Sequence, residues 1–167
     1  MAGIARGGGA EFVEAADLSF GSIGRAALSH CEALLGIIPG GGATQYLSTS
    51  LGRSRALEVI LGADLFDTQT AERYGWINRA LPAADLDGFI ARLAHNIASL
   101  PDGAIRAAKR AIPAAALADG LQRESQEWFQ LVTQLTTGRL IGGGLTQRLQ
   151  TTAGERRLES LLRSQLQ

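Results

Sequence analysis

The chain has 167 residues, of which 46% are hydrophobic and 19% are charged. That length predicts one domain with a single core, and that composition excludes an intrinsically disordered or fibrous protein. The 16 basic side chains balance the 16 acidic ones, and neither sign forms a long block. The charge pattern therefore excludes broad binding to nucleic acid or to an anionic membrane surface.

Cysteine content and apolar runs limit the setting of the protein. Cys31 is the only cysteine, which excludes an intrachain disulfide and a metal site built from several thiolates. The first six residues lack the apolar run of a signal peptide, and no stretch approaches the roughly 20 apolar residues of a membrane span. We expect a cytoplasmic protein with no membrane partner.

Glycine triplets at 7–9, 40–42 and 142–144 each predict a sharp turn or a close approach of the backbone to another group. The first triplet lies between a predicted extended segment, 2–5, and a predicted helix, 10–17. A strand that leads through a glycine turn into a helix is typical of an anion or oxyanion site, because the first N–H groups of a helix lack intrahelical partners.

The remaining elements follow in chain order. Asp67 is placed to cap a helix that Gly75 ends, and Pro113 interrupts a later helix near its end. Strands and glycine-rich loops precede about residue 82 and helices follow it, with no linker and no repeat of fixed period. Strands are predicted at 18–21, 27–31 and 76–79, and a surface loop at 22–25. Helices are predicted at 43–50, 54–61, 68–74, 86–97, 102–111 and 118–136, with one or two further helices in 145–166.

The last predicted helical region carries a stripe of leucines at positions 158, 161 and 162. Such a stripe must be buried against something. Two alternatives stay open: the stripe contacts another subunit, or it packs within its own chain.

Several common catalytic motifs are excluded by inspection. The sequence contains no phosphate-binding loop with a lysine, no dinucleotide-binding glycine fingerprint and no Gly-x-Ser-x-Gly nucleophile turn. His30 and His95 lack the ligand spacing of a zinc site. His30 and Cys31 are neighbours in a predicted extended segment, so their side chains point to opposite faces and are not expected to act as a Cys–His pair.

Five segments in the same order carry a resemblance to a known family. They are 7–17 (GGGAEFVEAAD), 32–45 (EALLGIIPGGGATQ), 52–58 (GRSRALE), 67–75 (DTQTAERYG) and 76–79 (WINR). Together they closely resemble the crotonase superfamily, the enoyl-CoA hydratase/isomerase proteins. The resemblance implies an α/β fold of the ClpP/crotonase class: a partial spiral core in 1–82 with the oxyanion and catalytic-Glu motifs, and a helical region in 83–167 for packing and oligomerisation.

The resemblance also implies roles for four residues. The Gly8 N–H corresponds to an oxyanion-hole donor for a thioester oxygen, and Gly40 corresponds to a loop glycine that borders the site. Glu11 and Glu32 match the two acidic positions of the hydratases, and keeping both favours hydratase over isomerase chemistry. From the residues alone, Glu11 could serve only the helix dipole and Glu32 could be a loop residue at the edge of an apolar run.

The resemblance further implies a coenzyme A thioester as substrate, no permanently bound cofactor, and a homo-oligomer that is a trimer or a hexamer. Family chains begin well upstream, with turns that supply a second oxyanion N–H, so we expect an N-terminally truncated member. The alternatives are a catalytically incomplete module for acyl-CoA binding or assembly, and a thioester hydrolase.

Overall fold

The computed structural model of the chain describes residues 1–101, 103–112, 117–146 and 151–166. Short strands and helices alternate up to residue 81, and helices follow. The strands are β1 (Ile4–Arg6), β2 (Phe20–Ser22), β3 (Ala27–Ser29), β4 (Phe66–Asp67) and β5 (Arg79–Leu81). The helices are α1 (Gly8–Glu14), α2 (Ala43–Leu51), α3 (Arg53–Gly62), α4 (Thr68–Tyr74), α5 (Leu86–Ala98), α6 (Ala104–Ala111), α7 (Ala118–Val132), α8 (Leu135–Thr146), α9 (Thr152–Glu155) and α10 (Leu158–Arg163), with a 3-10 helix at Glu32–Leu35.

The strands form two small sheets. In the first, β1 pairs in parallel with β3, with Ile4 opposite Ala27, and β3 pairs antiparallel with β4. In the second, β2 pairs in parallel with β5, with Phe20 opposite Arg79. Parallel pairing requires a crossover connection, and α1 supplies the one between β1 and its sheet partner β3. This crossover places the first turn of α1 beside the end of β3.

The core lies between the sheets and the first four helices. Its members are buried aliphatic and aromatic side chains, and burial of such apolar surface is the main contribution to stability. They include Leu28, Leu47, Val59, Trp76 and Ile77. Asp67 caps α4 as predicted, since its Oδ1 accepts the Thr70 N–H at 2.7 Å.

The C-terminal helices fold back onto this core. Leu162 is buried in a second cluster with Cys31, and both Leu158 and Leu161 pack against that cluster. The leucine stripe therefore packs within its own chain. Arg6 at the end of β1 reinforces the contact, because its guanidinium bonds both carboxylate oxygens of Glu159, at 2.7 and 3.1 Å.

The glycines at 142–144 make a close approach and not a turn, which is the second of the two alternatives that the sequence predicted. They lie inside α8, and a Cβ atom at Gly143 would be only 2.6 Å from Oε1 of Gln165. Glycine there serves the close approach of the C-terminal residues to α8. Asp102 and Pro113, which the sequence placed in and after the sixth helix, lie outside the described residues.

Three other predicted boundaries were wrong. The predicted helix 118–136 is two helices, with α7 ending at Val132 and α8 beginning at Leu135. The predicted strand 76–79 begins only at Arg79, because the Trp76 N–H donates back to the Ala71 carbonyl in a turn after α4. The predicted strand 18–21 lies at Phe20–Ser22, and Ser22 is buried rather than part of a surface loop.

Candidate active site

The candidate site starts at the turn between β1 and α1. Gly7 adopts a φ of +50°, a region that favours glycine, and α1 begins at the next residue. The Gly7 carbonyl accepts the N–H groups of Ala10 and Glu11, so the N–H of Gly8 precedes the intrahelical donors. A Cβ atom on Gly7 would lie 3.0 Å from Oε1 of Glu32. The turn therefore brings the start of α1 against the Glu32 carboxylate.

Glu11 connects α1 with the start of α2. Its Oε1 accepts the Gly41 N–H at 2.6 Å and the Ala43 N–H at 3.3 Å. These donors belong to the glycine loop and the first turn of α2, where N–H groups lack intrahelical partners and favour an anion. The two bonds fix the orientation of the Glu11 side chain.

Glu32 opens the 3-10 helix, and its side chain is only 13% exposed. Its neighbour His30 lies with Nδ1 at 3.5 Å from Glu32 Oε2 and with Nε2 at 2.8 Å from Glu14 Oε1. Burial alone would lower the pKa of His30, but the two carboxylates outweigh that effect and raise the pKa to about 9.

Glu11 and Glu32 line the same surface cavity. Its lining comprises Glu11, Glu32, Ile38, Gly40, Gly41 and Trp128. The structure thus brings together three of the four residues that the sequence proposed for the site, Glu11, Glu32 and Gly40. Gly8 does not line this cavity and lies exposed at the start of α1.

Helix α7 supplies two residues that the sequence reasoning missed. Trp128 lines the cavity, and a Cβ on Gly40 would be 3.0 Å from its Cδ1. One turn earlier, Glu124 is buried, and its carboxylate accepts the Gly42 N–H at 2.7 Å and the Thr44 N–H at 3.0 Å. The four-residue spacing of Glu124 and Trp128 on one helix face was visible in the sequence.

Cys31 does not form a nucleophile pair with His30. The Cys31 thiol packs in the cluster around Leu162, whereas the His30 ring stacks on Trp76 with centroids 5.7 Å apart. Burial, with the charges of Glu32 and Glu159, raises the pKa of the Cys31 thiol to about 12. Within the described residues, no group of three or more His, Cys, Asp or Glu side chains is arranged to hold a metal ion.

Comparison with known proteins decides the family. A family model described as enoyl-CoA hydratase/isomerase matches residues 1–152. The chain belongs to the enoyl-CoA hydratase/isomerase family. A probable enoyl-CoA hydratase of Mycobacterium bovis is 34% identical over 127 residues, covering 74% of this chain and 49% of that protein. A mitochondrial methylglutaconyl-CoA hydratase of Mus musculus is 39% identical over 114 residues, covering 66% of this chain and 36% of that protein.

Solved structures show the same relationship. A Streptomyces avermitilis protein assigned as an enoyl-CoA hydratase is 58% identical and superposes with a TM-score of 0.95, covering 97% of this chain and 59% of that one. Carnitinyl-CoA hydratase from Mycobacterium avium is 26% identical with a TM-score of 0.74, covering 82% of this chain and 54% of that one. The predicted family and the predicted α/β crotonase-type fold are confirmed.

This family member spans about half the length of the curated relatives it matches. Across its described part, none of the helices has the length and apolar character needed to cross a membrane.

Proposed function

We propose that this chain carries the acid–base residues of an enoyl-CoA hydratase, an enzyme that adds water to the double bond conjugated with a coenzyme A thioester. The observation that carries the proposal is the shared cavity of Glu11 and Glu32, bordered by Gly40. Two carboxylates beside one open space suit a reaction in which one activates water and the other transfers the proton at the α-carbon. The chemistry requires no permanently bound cofactor.

The oxyanion contribution is assigned to the Gly8 N–H. Adding water to the conjugated bond builds negative charge on the thioester oxygen, and a preorganised N–H at a helix start stabilises that charge. Gly8 is exposed in the first turn of α1, three residues before Glu11. The donor and the Glu11 carboxylate therefore belong to the same short element, which supports a common substrate.

The test is hydration of crotonyl-CoA, followed by loss of the absorbance of the conjugated thioester. Glu11→Gln and Glu32→Gln should each lower kcat by roughly 10²-fold or more, as expected for loss of an acid–base group. Glu127→Gln removes an exposed carboxylate from α7 and serves as the matched control. Equal rates for the wild type and both site variants would contradict the proposed roles.

A second candidate is a catalytically incomplete module that binds acyl-CoA or serves assembly. It is favoured by one observation, that Gly8 does not line the cavity that holds Glu11 and Glu32. Loss of one oxyanion donor lowers kcat by about 10²–10³-fold. Calorimetric titration separates the candidates, since acyl-CoA binding without turnover supports the module and turnover contradicts it.

We also propose that the chain forms a homo-oligomer, a trimer or a hexamer. Phe12, Leu18 and Ile90 line one apolar groove and are 80%, 46% and 37% exposed. Contiguous exposed apolar surface is typical of an interaction site. Light scattering should give a mass at least three times that of the chain, and a monodisperse monomer would contradict the proposal.

A further inference from the structure

Three ionisable side chains, those of Glu14, His30 and Glu32, form an ion network next to the candidate site. Glu14 on α1 lies with Oε1 at 2.8 Å from Nε2 of His30, and Nδ1 of the same ring lies 3.5 Å from Oε2 of Glu32. Trp76 donates its Nε1–H to the same Glu14 oxygen at 2.8 Å. His30 thus stands between a carboxylate that is held by the fold and a carboxylate that lines the cavity.

Because this ion network is buried, its charges must be balanced within it. The exposed fractions of the side chains are 2% for Glu14, 0% for His30 and 13% for Glu32. Among the described residues, Glu14 Oε2, His30 Nδ1 and Glu32 Oε2 have no hydrogen-bond partner. Two neighbouring carboxylates shielded from water are costly unless a cation compensates them.

An imidazolium compensates both neighbours at once, because it bonds Glu14 at 2.8 Å and forms an ion pair with Glu32 at 3.5 Å. A neutral imidazole has one N–H and can donate to only one carboxylate, whereas the cation donates from both ring nitrogens. The groups that face His30 are Glu14 from α1, Glu32 from the 3-10 helix and the Trp76 ring, which stacks on it after α4. The adjacent Cys31 thiol lies in a different cluster.

We propose that His30 is a positioning residue: as a buried imidazolium it connects Glu14 to Glu32 and holds the Glu32 carboxylate in place at the cavity. The inference rests on the proposed function, because Glu32 is one of its two acid–base residues. A role confined to the fold would need only the bond between His30 and Glu14. The contact between His30 and Glu32 separates the two roles.

The experiment follows the protonation of His30 by histidine ring NMR on the whole chain, without relying on turnover. The chain has two histidines, so His95→Gln assigns the signals. We expect both ring nitrogens of His30 to carry protons at pH 7.5, with a titration midpoint near 9. A neutral His30 ring at pH 7.5 would overturn the proposal.

Glu32→Gln tests the contact between His30 and Glu32. This substitution keeps the shape of the side chain and removes its charge, so the midpoint of His30 should fall by about one pH unit or more. Glu127→Gln should leave it unchanged. An unshifted midpoint in Glu32→Gln would show that His30 serves Glu14 alone and would overturn the positioning role. If Glu32→Gln fails to fold, the effect of His30→Gln on kcat decides between the two roles.

Hydration of crotonyl-CoA on the same samples separates this inference from the proposed function. With an active wild type, His30→Gln should lower kcat by about 10-fold or more and change KM little, because a misplaced acid–base group impairs the chemical step. An unchanged kcat would overturn the positioning role. If the wild type is inactive but Glu32→Gln still shifts the titration midpoint of His30, the proposed function is contradicted and the ion network is supported.

Discussion

The carboxylate of Glu124 accepts the N–H of Gly42 at 2.7 Å, although 82 positions separate the two residues. Gly42 precedes α2 and has no side chain with which to cap it, so the first N–H groups of α2 need another acceptor. Glu124 supplies it, and also accepts the hydroxyl of Thr44. Helix α7 therefore fixes the glycine loop that borders the two cavity carboxylates.

Removing this distant cap should destabilise the protein. Glu124→Ala leaves the buried Gly42 N–H and the part-buried Thr44 N–H without their acceptor, which should lower the free energy of unfolding by about 1–3 kcal/mol. Urea unfolding measures the change. Glu127→Ala, on the exposed side of the same helix, should stay within about 0.5 kcal/mol of the wild type. Equal losses in both variants would contradict a capping role.

The parts of the site that could be predicted from the sequence are close together in the chain. Glu11 lies two residues after its glycine triplet, and Glu32 lies eight residues before Gly40, so a local motif carries them. The Glu124 cap and the Trp128 wall could not be predicted in the same way. Their partners lie about 80 residues away, and only the packing of α7 on α2 brings them together.

The same distinction applies to the glycines of α8. A glycine triplet predicts backbone freedom, but not whether that freedom serves a turn or a close contact. The contact of Gly143 with Gln165 depends on how the C-terminal residues fold back, which is a tertiary property. Likewise, the sequence predicted that His30 and Cys31 face apart, but it could not identify Glu14 as the partner of His30.

Two glycine-to-alanine changes should have opposite effects on stability. Gly36 ends the 3-10 helix with φ at +76°, and its added Cβ would lie 2.9 Å from Oγ1 of Thr137. Gly36→Ala should therefore lower the free energy of unfolding by about 1–3 kcal/mol, from backbone strain and crowding. Gly138 lies in α8 with open space around it, so Gly138→Ala should raise stability by up to about 1 kcal/mol. Destabilisation by both variants in urea unfolding would contradict this reading of α8.

Stability should fall with rising pH because of His30. Its pKa is raised from 6.5 to about 9 by the neighbouring carboxylates, against the opposing effect of burial. The native state therefore binds this proton more tightly than the unfolded chain, and the stabilisation is complete below about pH 6.5 and lost as pH rises through about 9. The slope is at most about 1.4 kcal/mol per pH unit for one proton.

The measurement is urea unfolding between pH 6.5 and 9. His30→Gln should flatten the slope, and His95→Gln is the control for the loss of an exposed histidine. The pH range ends at 9 because Cys31 would contribute above it. Burial raises the pKa of the Cys31 thiol from its ordinary value of 9 to about 12, so the protein loses further stability above pH 9. A wild-type slope that persists in His30→Gln would contradict the assignment to His30.

Trp128 should limit the length of the acyl chain, given the proposed function. It lines the cavity with both carboxylates and lies against Gly40. Trp128→Ala vacates the space of an indole ring, enough for additional methylene groups, each of which contributes about 0.8 kcal/mol when buried. Two accommodated methylenes should improve the affinity for a decenoyl-CoA over crotonyl-CoA by roughly 10-fold relative to wild type, since about 1.4 kcal/mol corresponds to tenfold. Calorimetry measures this ratio without turnover.

The neighbouring Phe129 is 65% exposed and does not line the cavity, so Phe129→Ala should leave the ratio unchanged. A ratio that moves equally in both variants would place the acyl chain elsewhere, because Trp128 lines the cavity and Phe129 does not.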